Sequence, residues 1–383
     1  MSQRLTRHRF ASLDGLRGVA ALIVVLHHAL LIVPVLTLPY FGDYSPVGGF
    51  SGLLLYSPLH LAWAGTEAVF VFFVLSGFVL SYAARDVVGF PWAAYYPSRF
   101  VRLYLPVIAA IVFAWITILL VPRVPGPASV WVTARPSDYT LVTALQDAVL
   151  VNGTTGTVTP LWSLQWEVLF SIVLPLTIVL ARGRLLWLTI TASLLVSTLG
   201  FYTGVLALAY IPMFVIGAAI AMRWHDVRRL GDRLSAARLG NLYWALLVVV
   251  ALALMLSFWI LAPALHSTTL SVATRPLIVL GATILVVAVA LWAPLRSLFS
   301  IRPIQWLGRI SFSLYLVHEP VVVAVAHLLD GSRWGIPISI AVSIVVAAGF
   351  YAVVERPSHR LAQRIKRAPS LNRAPDREKA VAS

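Results

Sequence analysis

The chain has 383 residues, 60% of them hydrophobic and only 11% charged. A soluble globular domain carries about 25% charged residues, so this composition excludes one and marks a polytopic membrane protein. There are no cysteines, which rules out disulfides, thiolate catalysis and cysteine-ligated metal; the net charge of +15 follows from topology, as shown below, and implies no nucleic-acid partner.

Ten apolar stretches are long enough to cross a bilayer, at about 17–37, 62–83, 101–121, 161–181, 185–203, 206–222, 241–263, 275–293, 306–327 and 335–354. The expected fold class is all-α, with about ten transmembrane helices. The first stretch has the basic-then-apolar pattern of a signal peptide, but no small-residue cleavage site follows, so it reads as a retained helix. With the N-terminus inside, 25 of the 29 Lys and Arg fall on cytoplasmic segments, and Arg123, Arg135, Arg275 and Arg333 fall outside. This is the positive-inside asymmetry. It predicts cytoplasmic N- and C-termini and a multi-pass protein of the plasma (inner) membrane. One transmembrane domain is expected over 1–365, followed by a disordered basic cytoplasmic tail, 366–383. The long outer segment 121–160, with Pro122, Pro125, Pro127, Gly153 and Gly156, is expected outside the membrane as a cap.

On the first span, Arg17 and His28 lie eleven residues apart. That is about three turns, so they share a helix face, about 16 Å apart along the axis. With Arg17 at the headgroups, His28 falls near mid-bilayer, where an ionisable side chain marks a functional site. A neutral imidazole can take a proton from a hydroxyl or attack an activated acyl group. His27 is rotated by about 100° and faces elsewhere.

In the second span, Glu67 stands near the outer start, and Ser76 and Gly77 are small residues suited to helix packing. At the inner end of the third, Arg99 and Arg102 share a face. They read either as positive-inside anchors or as a fork for phosphate, which Arg17 would join. The fourth opens with Trp162, Ser163, Trp166 and Glu167, and its carboxylate needs a partner or a wet cavity. In the ninth, Ser311, Tyr315 and His318 form one stripe, with His318 at the depth of His28; Pro320 is expected to break this helix. The tenth ends in Glu355, which reads as a structural ion pair with the arginines, and in Arg360, a further candidate for phosphate. The nine histidines are scattered without HxxxH or HExxH spacing, so no metal site is expected.

These blocks, in this order, resemble the acyltransferase-3 family of integral-membrane O-acyltransferases. The matching residues are Leu13 to Gly18 with His28 eleven positions after Arg17, Phe72 to Phe78, Arg99 with Arg102, Trp162 to Leu164 with Glu167, Leu307 to His318, and Val354 to Pro357. Val168 stands where the family commonly has a second acid, and Val317 where it often has Trp. The C-terminal hydrolase-like domain of many relatives is not expected here. The resemblance implies acyl transfer, usually acetyl, from acyl-CoA to the hydroxyl of a sugar or natural product.

The mechanism expected has Arg99, Arg102, Arg17 and Arg360 binding the CoA phosphates. His28 acts as general base or transient acyl carrier, with Glu167 and His318 orienting it or the acceptor. Two rival readings use the same residues. One is a proton-coupled transporter with His28, His318, Glu67 and Glu167 as a relay. The other is a non-catalytic subunit that binds a lipid-linked glycan.

Overall fold

The computed structural model describes residues 10–367, apart from 46, 86–87, 125, 127, 151–152, 183–184 and 266–267. Among these there are helices and turns and no strands, as expected for a chain that must satisfy every backbone group inside a bilayer. Eight helices are long and apolar enough to cross a membrane, and up to ten when each of two bent pairs counts as one span.

All ten expected stretches fall on helices. The first span is Ala11–Leu30, the second Gly65–Ala83, the third Trp92–Leu120, the fourth Leu161–Arg182 and the fifth Leu186–Thr203. The sixth, Leu206–Met222, bends by 75° into an amphipathic helix, Trp224–Ala236. The seventh is a pair, Gly240–Met255 and Ser257–Leu265, bent by 46°. The eighth is Thr268–Leu291 and the ninth Arg302–Leu328. The tenth, Gly335–Phe350, passes through a π-helical turn, Tyr351–Glu355, into Arg356–Arg367. The expected tail therefore begins two residues inside this helix, and from 368 it lies outside the described residues.

The first span starts six residues earlier than expected and stops short of Pro34, so Arg17 sits within the helix rather than at its mouth. The ninth span corrects a second expectation. It runs unbroken through Pro320. The ring removes the bond to the Leu316 carbonyl, but residues 313–323 are all buried, and packing on every side holds the helix together.

The first and ninth spans are the centre of the bundle, and glycine brings them together. A Cβ on Gly18 would stand 2.4 Å from the Gly308 nitrogen, and one on Gly308 2.4 Å from the Asp14 carbonyl oxygen. The two backbones therefore touch, as small residues allow in membrane bundles. The second and sixth spans meet in the same way. A Cβ on Gly77 would stand 2.1 Å from the Phe214 carbonyl oxygen, in line with the packing role expected of Gly77.

The outer segment 121–160 is a folded cap with two short helices, Val130–Thr133 and Leu141–Val149. It dips into the bundle instead of lying above it. The Thr159 amide and hydroxyl both donate to Glu319 Oε2, at 2.5 and 2.7 Å. Glu319 lies nine residues, about 14 Å, short of the end of its helix at Leu328. Inside the cap, the Tyr139 hydroxyl donates to Asp147 Oδ2 at 2.7 Å, and the Thr155 amide donates to Oδ1 at 2.7 Å. Burial, and then the Asp147 carboxylate, push the Tyr139 phenol above its ordinary pKa, so it remains the donor.

Candidate active site

Ten residues beyond the Gly18–Gly308 contact, each helix carries a histidine. The shared register puts both rings at one height. His28 Nδ1 lies 2.8 Å from His318 Nε2, and His318 Nδ1 lies 2.9 Å from the Leu314 carbonyl oxygen. A carbonyl can only accept, so a neutral His318 carries its hydrogen on Nδ1 and offers a bare Nε2. His28 then donates from Nδ1. This chain fixes the tautomer and leaves a lone pair on His28 Nε2, the arrangement a general base or nucleophile requires.

The walls of the site are aromatic. Trp131 of the cap stacks on His28, with ring centroids 5.2 Å apart and planes 25° apart. The Arg135 guanidinium lies 4.7 Å over the same indole. Arg135 Nε is 3.3 Å from Glu319 Oε1, a carboxylate that is fully buried. On the next turn toward the arginines, Ser163 and Tyr315 share a hydrogen bond of 2.7 Å. His27 turns away, as its rotation predicts, and its Nδ1 meets the Trp63 carbonyl oxygen at 3.1 Å. Glu67 accepts from Trp259 Nε1 at 3.0 Å.

A second layer of polar residues lies toward the end of the bundle where the first span begins, here the basic face. Arg102 stands in the field of Arg99, Arg17, Glu355 and Glu167. Arg99 is committed within this layer. Its Nη2 reaches Glu167 Oε1 at 2.5 Å, and its Nε donates to Ser171 Oγ at 2.9 Å. Glu355 accepts from the Ser313 amide at 3.0 Å and the Ser313 hydroxyl at 2.5 Å, and His359 stands 3.6 Å away. Arg17 is half-buried and Arg102 exposed. Neither forms a hydrogen bond or ion pair with a described residue, so both guanidiniums are available to a ligand.

Two sequence-predicted residues stand apart from the histidines. Glu167 lies in the arginine layer, because the fourth span begins at the level of Glu319 and two turns carry its carboxylate down to Arg99. No hydrogen bond links it to His28 or His318 among the described residues. Arg360 is exposed on the C-terminal helix, without a hydrogen bond or ion pair to the arginine layer. Trp131, Arg135, Thr159 and Glu319 were not singled out in sequence. Glu319 did carry a signal, as a carboxylate in an apolar run beside His318. Among the described residues, no three His, Asp or Glu converge as metal ligands.

Bundle and site together define a multi-pass membrane protein in which the half-buried imidazole of His28 is hydrogen-bonded to the buried His318, with Arg17 and Arg102 on its basic face. The chain belongs to the acyltransferase-3 family, whose model, an acyltransferase domain, matches residues 10–352. It is therefore a transferase enzyme, an acyltransferase. It is 28% identical to the acyltransferase MdmB of Streptomyces mycarofaciens over 92% of both chains. It is 38% identical to the O-acetyltransferase PaAT-1 of Phomopsis amygdali over 82 residues, which is 21% of this chain and 15% of that protein. No solved structure matches the chain.

Proposed function

We propose that this protein is an O-acyltransferase of the plasma (inner) membrane that moves an acyl group, acetyl foremost, from acyl-CoA to a hydroxyl on a sugar or natural-product acceptor. The observation that carries this reading is the His28–His318–Leu314 chain, which leaves His28 Nε2 bare. The basic face is the cytoplasmic one, in keeping with the positive-inside rule and with CoA as a cytosolic donor. Arg17 and Arg102 take the CoA phosphates, with Arg99 and Arg360 flanking them. The pantetheine arm follows the first span toward His28, a rise of about 16 Å.

The proton accounting is simple. In direct transfer, His28 Nε2 takes the acceptor proton while the oxygen attacks the thioester carbonyl. The C–S bond then breaks, and the proton returns to the CoA sulfur. In the acyl-carrier version, Nε2 itself attacks the thioester and CoA thiolate leaves; the acceptor hydroxyl then displaces the imidazole, its proton passing to the freed Nε2 and on to the thiolate. In both, positive charge grows on His28, and His318 Nε2 stabilises it through the Nδ1–H that it accepts. The O-acetyltransferase name of one relative supports oxygen as the acceptor atom and acetyl as the group.

The test is thiol release from acetyl-CoA by the purified protein across a panel of glycosylated acceptors. With no cysteine in the chain, the readout has no protein background. Release that depends on one acceptor and disappears in His28→Ala supports the reading. Equal release by His28→Ala refutes it.

A further inference from the structure

A sizeable cavity lies outside this site. It measures about 960 Å³ and opens on the basic face, on another side of the first span. Phe10, Ala11 and Ser12 line it, whereas Arg17 of the same helix joins the field around Arg102. Its floor is made by the last residues of the sixth and eighth spans, Met222 and Leu291 among them, so it sits where those spans end.

Three arginines from three separate elements converge here. Arg85 follows the second span, Arg228 lies on the amphipathic helix, and Arg296 lies in the short helix Ala293–Leu298. Their internal partners are weak. Arg85 reaches the Tyr82 carbonyl oxygen at 3.4 Å, and Arg228 is 3.9 Å from Asp232. Arg296 forms no ion pair with a described residue. Three guanidiniums against the one carboxylate, Asp232, leave an excess of two positive charges in the cavity. Positive-inside topology alone accounts for arginines on this face, but not for their enclosure of one volume. An aromatic corner shares the lining. Phe10 meets Tyr82 edge-on at 5.1 Å and Trp224 at 5.4 Å, and the Arg85 guanidinium lies 4.4 Å over the Tyr82 ring.

We infer that this cavity is a binding site for a phosphate group, separate from the layer of Arg17, Arg99 and Arg102. Forked guanidiniums suit the charge and geometry of phosphate, and the volume lies within the range of small-molecule sites. An anionic phospholipid headgroup or a soluble nucleotide phosphate would present the same group. Basic pockets between spans at a membrane surface take such headgroups, and the aromatic corner offers a base a ring to stack on. The inference does not depend on the identity of the acyl donor.

The experiment uses the full chain and the variant Arg85→Gln/Arg228→Gln/Arg296→Gln. All three positions are exposed, so folding should persist. The charge-matched control is Arg229→Gln/Arg233→Gln/Arg238→Gln, on the same face but outside the cavity lining. Native mass spectrometry measures retained phosphatidylglycerol against phosphatidylcholine, and thermal shift measures ADP. The expected result is a drop of about tenfold or more in affinity for one of these probes in the cavity variant, with the control close to wild type. Loss of phosphatidylglycerol assigns a lipid source, and loss of ADP binding a soluble one. Binding of neither probe, or equal loss in the control, overturns the inference.

Discussion

His28 and His318 meet at 2.8 Å because each stands ten residues beyond a glycine, and those glycines, Gly18 and Gly308, bring their two backbones into contact. The register of one helix pair thus sets the tautomer of the proposed base. His318 is a positioning residue in this account. His318→Ala should lower kcat by about 10²–10⁴-fold while leaving the KM for acyl-CoA near wild type, as expected when the partner of a catalytic imidazole is lost. A change confined to KM would place His318 in substrate binding instead.

The glycine contact makes a separate prediction about stability. Gly308→Ala forces a Cβ against the Asp14 carbonyl and should cost about 1–3 kcal/mol, as overpacking does. Gly349→Ala is the contrast. It lies in the tenth span with nothing within 4 Å of its added Cβ, so the change should be neutral or stabilising by up to about 1 kcal/mol. Thermal unfolding in detergent separates the two. Equal melting temperatures would show that the first and ninth spans are not held at this point.

Arg99 and Glu167 should behave as one unit. Arg99→Ala strands a partly buried carboxylate and should destabilise by about 3 kcal/mol, and adding Glu167→Gln should recover part of the loss. A double-mutant cycle on unfolding tests this. Strict additivity would mean that the pair does not interact in solution.

The cap has its own test. Glu319→Gln keeps the size of the side chain but removes the charge shared by Thr159 and Arg135, at a cost of about 1–3 kcal/mol. Hydrogen exchange should then quicken across 129–160 more than in the spans. Unchanged protection there would show that the cap is held by its own core, through Tyr139 and Asp147, rather than by Glu319.

Much of this was legible in the sequence, because a bilayer demands long apolar helices and taxes every buried charge. The spans fall close to where their hydropathy places them, the first shifted toward the N-terminus, and the equal depth of His28 and His318 follows from counting residues along two helices. What counting could not supply was the relation between helices that start at different levels. Glu167 is near the start of its span, yet that start lies deep, at Glu319, so its carboxylate meets Arg99 rather than the histidines. The cap residues Trp131 and Arg135 were hidden for a related reason. A polar, proline-containing segment reads as external, but the buried Glu319, the Leu31 carbonyl that Ser129 bonds, and the apolar cluster around Trp131 draw it inward. Pro320 misled because proline's cost in a helix falls when neighbours enclose it.

The most direct measurement is acetyl-CoA binding to the detergent-purified protein, with wild type, Arg17→Gln/Arg102→Gln and His28→Ala compared by isothermal titration calorimetry. The account predicts saturable binding by wild type, comparable binding by His28→Ala, and an affinity lower by about tenfold or more in the double variant. Saturable binding that is indifferent to both arginines would contradict the proposed path along the first span. No binding by a folded wild type would contradict acyl-CoA as the donor.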